Sequence, residues 1–152
     1  MEEVVKDMVE LNPRLTAEEL MSKVKFEEDG CTLETWNLNL KSVTALPESI
    51  GDLTLTGDLY LGDNQLTTLP ESFGSLTVGG GLNLSKNQLR TLPESFGSLT
   101  VNGHLGLDKN QLTTLPESFG SLTVVGGKLF LEENQLTTLP ESFPNVKGGV
   151  RL

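Results

Sequence analysis

The sequence predicts an α/β solenoid, in which repeated short strands stack into a parallel β-sheet and a helical cap closes the amino-terminal end. Three observations predict it. The string Leu-Pro-Glu-Ser followed by Ile or Phe starts at Leu46, Leu69, Leu92, Leu115 and Leu139, a period of 23 residues with one step of 24. Within each period a second string, Leu-x-Leu-x-x-Asn-Gln-Leu, recurs from Leu59, Leu82, Leu105 and Leu129. Residues 1–35 carry neither string and pattern as helix. Self-similarity at a fixed period of roughly 20–50 residues marks stacked architectures, because one such unit cannot bury its apolar face alone.

The elements follow in chain order. Val4, Val5, Met8, Val9 and Leu11 form one apolar stripe, and Asn12-Pro13 ends it. Thr16 with Glu19 reads as a capping box and Leu15 with Leu20 as the hydrophobic staple around it, so a second helix runs from about Ala17 to Val24. An end repeat has no neighbour, and this amphipathic pair fits the job of covering it. Trp36-Asn37-Leu38-Asn39-Leu40 supplies the first strand, with Trp36 at the seam. In each Leu-x-Leu the leucines point to one face and the x residue to the other. Asn64, Asn87, Asn110 and Asn134 stand where the chain leaves the strand, where an amide side chain can serve unpaired loop backbone. Pro47, Pro70, Pro93, Pro116 and Pro140 discourage a continued strand on the return side. Phe73, Phe96, Phe119 and Phe143 are expected to form a buried aromatic spine, with Ile50 in the first copy. The pairs Gly79-Gly80 and Gly126-Gly127 suit a tight bend before the strand.

These strings resemble the leucine-rich repeat family over roughly residues 36–152. The resemblance implies a curved horseshoe with the parallel sheet on its concave face, whose usual work is binding other molecules, mostly proteins. The chain then divides into a helical cap, residues 1–35, and repeats of about 23 residues, residues 36–152, the last incomplete. Gly149-Val150-Arg151-Leu152 aligns with Lys128-Leu129-Phe130-Leu131, which leaves a parallel edge strand at the carboxy-terminal end. Such an edge is normally covered, so a longer natural chain or an edge-to-edge dimer is expected as well as a monomer.

Composition excludes several classes. Eleven basic residues against 21 acidic ones give a net charge of −10, the wrong sign for a nucleic-acid footprint. No apolar run reaches the roughly 20 residues of a membrane span, and MEEVVKDMVE lacks the pattern of a signal peptide, which predicts a cytoplasmic protein. His104 and Cys31 are the single histidine and cysteine. About three repeats separate them, on the order of 15 Å, which disfavours a nucleophile–histidine site. Zinc-type spacing is lacking, so neither a metal nor a cofactor is expected. Gly79-Gly80-Gly81 does not continue into a phosphate-binding fingerprint. Asp108 and Glu132, equivalent in adjacent copies, read with Lys109 and Lys128 as a solvated charge network.

The outward positions carry the functional expectation. Before the first Leu stand Asn37, Asp58, Gly81, His104, Lys128 and Gly149; between the leucines Asn39, Tyr60, Asn83, Gly106, Phe130 and Arg151; after the second Leu Lys41, Gly62, Ser85, Asp108 and Glu132. The core frame is constant while these residues change from copy to copy, so solvent or a partner sets them. Asp58, Tyr60, Asn83, His104, Asp108, Lys128, Phe130 and Glu132 are therefore the candidate partner-binding residues. Tyr60 reads as an aromatic anchor, and Phe130 either as a second anchor or as cover for Gly106. The expected function is non-enzymatic binding of a protein or peptide on the concave sheet. Alternatives are a scaffold self-associating through the final strand, or the targeting part of a larger enzyme, an arrangement the family resemblance includes. The face would span on the order of 400 Å², about half of one side of a standard interface, which predicts a narrow epitope or weak binding.

Overall fold

The computed structural model describes residues 1–26, 28, 32–40 and 42–152. Each coil contributes two short strands, and the strands stack into two parallel ladders. The first ladder runs through β2 (Leu33–Asn37), β4 (Leu59–Tyr60), β6 (Leu82–Asn83), β8 (Leu105–Gly106), β10 (Leu129–Phe130) and β11 (Val150–Arg151). Its register sets Leu59 opposite Leu82, Leu82 opposite Leu105, Leu105 opposite Leu129 and Leu129 opposite Val150. The Leu-x-Leu alternation holds: Leu59, Leu61, Leu82, Leu84, Leu105, Leu107, Leu129 and Leu131 are buried, while Tyr60, Asn83 and Phe130 between them are half-exposed.

The second ladder comprises β3 (Thr54–Leu55), β5 (Thr77–Val78), β7 (Thr100–Val101) and β9 (Thr123–Val124). Each threonine is exposed and each following Leu or Val buried. Five-residue β2 is long enough to join both ladders, pairing Leu33 with Leu55 and Trp36 with Leu59. Between the ladders the first four coils turn through a short 3-10 helix: Glu48–Asp52, Glu71–Ser75, Glu94–Ser98 and Glu117–Ser121. The proline before each turn is extended, and its carbonyl accepts from the aromatic or Ile N–H three residues on, as from Phe73 to Pro70 at 3.0 Å. That turn drives the side chain inward. Phe73, Phe96 and Phe119 stack with centroids 6.1 Å apart and planes within 6° of parallel, as the spine predicts.

The Asn column ties coil to coil. Asn87 Nδ2 donates to Leu61 O (2.9 Å) and Leu84 O (3.0 Å), and its Oδ1 accepts from Leu66 N (3.0 Å). Asn64, Asn110 and Asn134 repeat this pattern. One side chain thus satisfies backbone groups in its own coil and the one before, buried away from water at Asn64, Asn87 and Asn110. The glycine column answers a different constraint from the bend expected of it. Gly79 and Gly80 do not have left-handed φ; a Cβ on either would run into Thr56, or Gly57 and Asp58, of the preceding coil. Close stacking, rather than backbone freedom, requires glycine there.

The amino-terminal segment differs from its sequence-based reading in four respects. The first is its strand: β2 is Leu33–Asn37 and not residues 36–40, and Trp36 and Asn37, rather than Leu38 and Asn39, pair with Leu59 and Tyr60. Helix α2 covers Ala17–Met21, with Glu19 N donating to Thr16 Oγ1 as its cap. Val24, expected at the end of that helix, instead opens β1 (Val24–Phe26), which pairs antiparallel with β2. Val-Lys-Phe suits a short half-buried strand, and that pairing covers the free edge of β2. On α1 (Glu2–Leu11), Val4, Val5 and Met8 are buried but Leu11 is 45% exposed, so the stripe ends before it. Asn12 does more than stop this helix. Buried itself, it donates to Met8 O and Ala45 O (2.8 and 2.9 Å) and accepts from Thr44 N (2.7 Å), fastening α1 to the first coil. Trp36 seals the seam as expected, fully buried with Nε1 donating to Leu20 O at 3.1 Å.

Candidate functional site

The outward positions of β4, β6, β8 and β10 surround a concavity of about 710 Å³ on the first ladder. Side-chain size along the central row creates it. Tyr60 and Phe130 stand at the two ends, and Asn83 and the buried Gly106 form a low floor between them. A Cβ at Gly106 would press against Ser85 Oγ, so even the smallest side chain would raise that floor.

Each wall is fixed by its own hydrogen bonds. Tyr60 OH donates to Asp58 Oδ2 at 2.7 Å, and Asp58 Oδ1 accepts from Gly81 N in the next coil. The Asp58 hydrogen bond, then burial, then the Asp58 charge hold the Tyr60 phenol above the usual tyrosine range. Asn83 Oδ1 accepts from Ser85 N at 2.9 Å, and Ser85 Oγ donates to Asp108 Oδ1. His104 Nδ1 accepts from Lys128 N at 2.8 Å, which places the proton of the neutral ring on Nε2. The His104 ring meets Phe130 edge-on at 5.8 Å, and the Arg151 guanidinium lies 5.6 Å from the Phe130 centroid. Glu132 is half-exposed, yet its Oε2 is closed to solvent and has no hydrogen-bond partner.

Seven of the eight candidate residues line this concavity: Asp58, Tyr60, Asn83, His104, Asp108, Phe130 and Glu132. Lys128 does not; it sits half-exposed beside the opening and takes part through its backbone N–H. Phe130 touches His104 and Arg151, while the groups nearest a Cβ at Gly106 are Ser85, Asn83 and Asp108. Lys41, expected in the third outward row, and Cys31 lie outside the described residues.

A further row, of which the sequence reading singled out Lys109 alone, completes the rim. Asp63, Lys86, Lys109 and Glu133 precede the ladder asparagines and all take left-handed backbone, with φ between 51° and 56°. Each costs on the order of 1 kcal/mol at a non-glycine residue. In return the turn directs their side chains along the concave margin, where Lys86 pairs with Asp63 (3.5 Å) and Lys109 with Glu133 (3.4 Å). Both pairs are exposed and contribute little to stability. Lys109 and Glu133 reach the concavity itself. Of the four only Asp63 is of a type that favours left-handed turns; nothing in the residue types of Lys86, Lys109 and Glu133 announces this geometry.

Carboxylates dominate the chemistry of the site. Asp58, Asp108, Glu132 and Glu133 face one lysine, Lys109, which is already paired with Glu133. Such a surface favours a cationic or hydrogen-bond-donating visitor and repels anions. Among the described residues no group of three or more His, Cys, Asp or Glu could hold a metal ion, and no helix is long and apolar enough to cross a membrane.

Comparison with protein-family models matches residues 58–76 and 81–99, both to the family described as Leucine Rich Repeat. No curated protein matches the chain.

Proposed function

Because the chain is a leucine-rich repeat protein and such repeats generally serve as protein-interaction modules, we propose that it is a non-enzymatic binding module whose concave sheet receives a protein or peptide. The observation that carries this reading is the concavity bounded by Tyr60 and Phe130 on an otherwise regular frame. In the three coils that carry Phe73, Phe96 and Phe119, the leucines, phenylalanines and ladder asparagines Asn64, Asn87 and Asn110 keep one identity and stay buried, whereas the residues over the concavity differ at every step. Anchoring aromatics on a rigid, hydrogen-bonded sheet bind with little loss of conformational freedom. In this reading residues 1–35 close the solenoid and residues 36–152 present the surface.

A photoreactive benzoyl-phenylalanine tests the face. Placed at Asn83 it should capture a partner, with capture competed by the parent chain but not by Tyr60→Ala/Phe130→Ala. Placed at Thr100, on the second ladder, it should capture nothing that is competed. Equal capture from both positions removes the concave-face reading.

A further inference from the structure

We propose that the concavity is a receptor for an arginine side chain on an extended, basic segment of a partner protein, its guanidinium lying over the Asn83–Gly106 floor against the Asp108 and Glu132 carboxylates. This rests on the protein-binding reading of the same face and names the chemistry that the face selects.

Space comes first. Tyr60 and Phe130 stand three strand steps apart, about 14 Å, and the two rungs between them are low. The slot is therefore wide enough for one long side chain entering between the rings.

Charge selects the kind of side chain. Not every carboxylate at the site is free. Asp58 is occupied by Tyr60 OH and Gly81 N, and Glu133 by Lys109. Asp108 holds a single neutral donor, Ser85 Oγ. Glu132 Oε2 is cut off from water and has no donor at all. A carboxylate with a donorless buried oxygen is under-satisfied, which favours a visitor that brings N–H donors to the group. The Glu132 side chain lines the concavity and is half-exposed, so a visitor there meets its carboxylate. The net charge of −10 draws cations from a distance.

Planarity selects arginine over lysine. Asp108 and Glu132 are equivalent positions two residues beyond the paired strands β8 and β10, so their backbones lie about 5 Å apart. A guanidinium offers several N–H donors in one plane and can serve two neighbouring carboxylates, whereas an ammonium acts as a point charge. The protein displays the aromatic half of this recognition within itself, with the Arg151 guanidinium over Phe130.

The test uses the full chain and fluorescein-labelled 13-residue Gly/Ser peptides carrying two central arginines, with citrulline and lysine versions as probes. Anisotropy should give at least tenfold tighter binding for the arginine peptide than for the citrulline peptide, and several-fold tighter than for the lysine peptide. In ¹H–¹⁵N spectra the arginine peptide should shift the amides of Asn83, Gly106, Asp108 and Glu132. Asp108→Asn/Glu132→Gln, nearly isosteric and checked by circular dichroism, should erase the arginine–citrulline difference. The peptide comparison in the parent chain stands even if that variant fails to fold. Equal binding of arginine and citrulline peptides, or arginine-peptide shifts confined to another face, overturns the inference. If the Asn83 cross-links persist in that case, the protein-binding reading survives; if they are also lost, both readings fall.

Discussion

Phe96 and Phe143 hold the same place in nearly identical copies, yet one is sealed and the other half-exposed. Phe96 lies parallel between two rings, whereas Phe143 tilts 45° against Phe119. The leucines before the prolines behave likewise: Leu92 is 7% exposed and Leu139 is 45%. At the opposite end the first coil has a less regular sequence, but Trp36, Leu38, Val43 and Ile50 are fully buried beneath α1, α2 and β1. Burial therefore belongs to the junction between coils and not to the coil. A repeat with a neighbour on each side is core, and the same repeat at the end of the stack is half surface.

Substituting equivalent residues at the two places puts this contrast to the test. The largest effect is expected from Phe96→Ala, which leaves a ring-sized void between two stacked phenylalanines. It should lower stability by about 4 kcal/mol, against about 1 kcal/mol for Phe143→Ala, read as urea midpoints at constant slope. Equal losses would break the comparison. The ladder asparagines sharpen it. Asn87→Ala strands Leu66 N away from water and leaves Leu61 O and Leu84 O each with one amide donor, from Asn64 and Asn110, so it should cost about 2 kcal/mol. Asn134 is only half-buried and water can replace part of its work, so Asn134→Ala should cost about 1 kcal/mol by the same measurement.

The smallest effect concerns an open-face aromatic rather than a sealed one. Tyr60 is the single tyrosine, so absorbance at about 295 nm follows its ionisation alone. Its midpoint should lie above the ordinary tyrosine value, and Asp58→Asn should bring it down. Folding favours the protonated phenol here. This contribution to stability is complete below the ordinary tyrosine range and is lost as pH climbs through the raised midpoint. A midpoint unchanged by Asp58→Asn would detach Tyr60 from Asp58.

The first ladder, the Asn column and the Phe spine were legible because each repeats one residue type at one spacing, and identical residues in identical environments leave a periodic record. Thr77-Val78 and its equivalents also repeat, but two residues are too short to display the alternation of a strand, so the second ladder stayed hidden until β2 linked it to the first. Val24 reads as the end of a helix although it opens a strand, because three residues are too short to display strand alternation. For the candidate site, alternation alone placed Tyr60, Asn83 and Phe130 on the open face. It could not place Lys109 and Glu133 on the rim, since that depends on left-handed turns at residues whose types do not call for them.

The constant register between coils has a further consequence. Leu82–Asn83 and Leu105–Gly106 present the same backbone to either neighbour, so they act as interchangeable spacers between two aromatic posts. Inserting or excising one whole spacer would leave every stacking junction intact while moving the posts apart or together by about 4.8 Å. The aperture of this surface is thus quantised, set by how many copies separate Tyr60 from Phe130 rather than by the shape of any one of them.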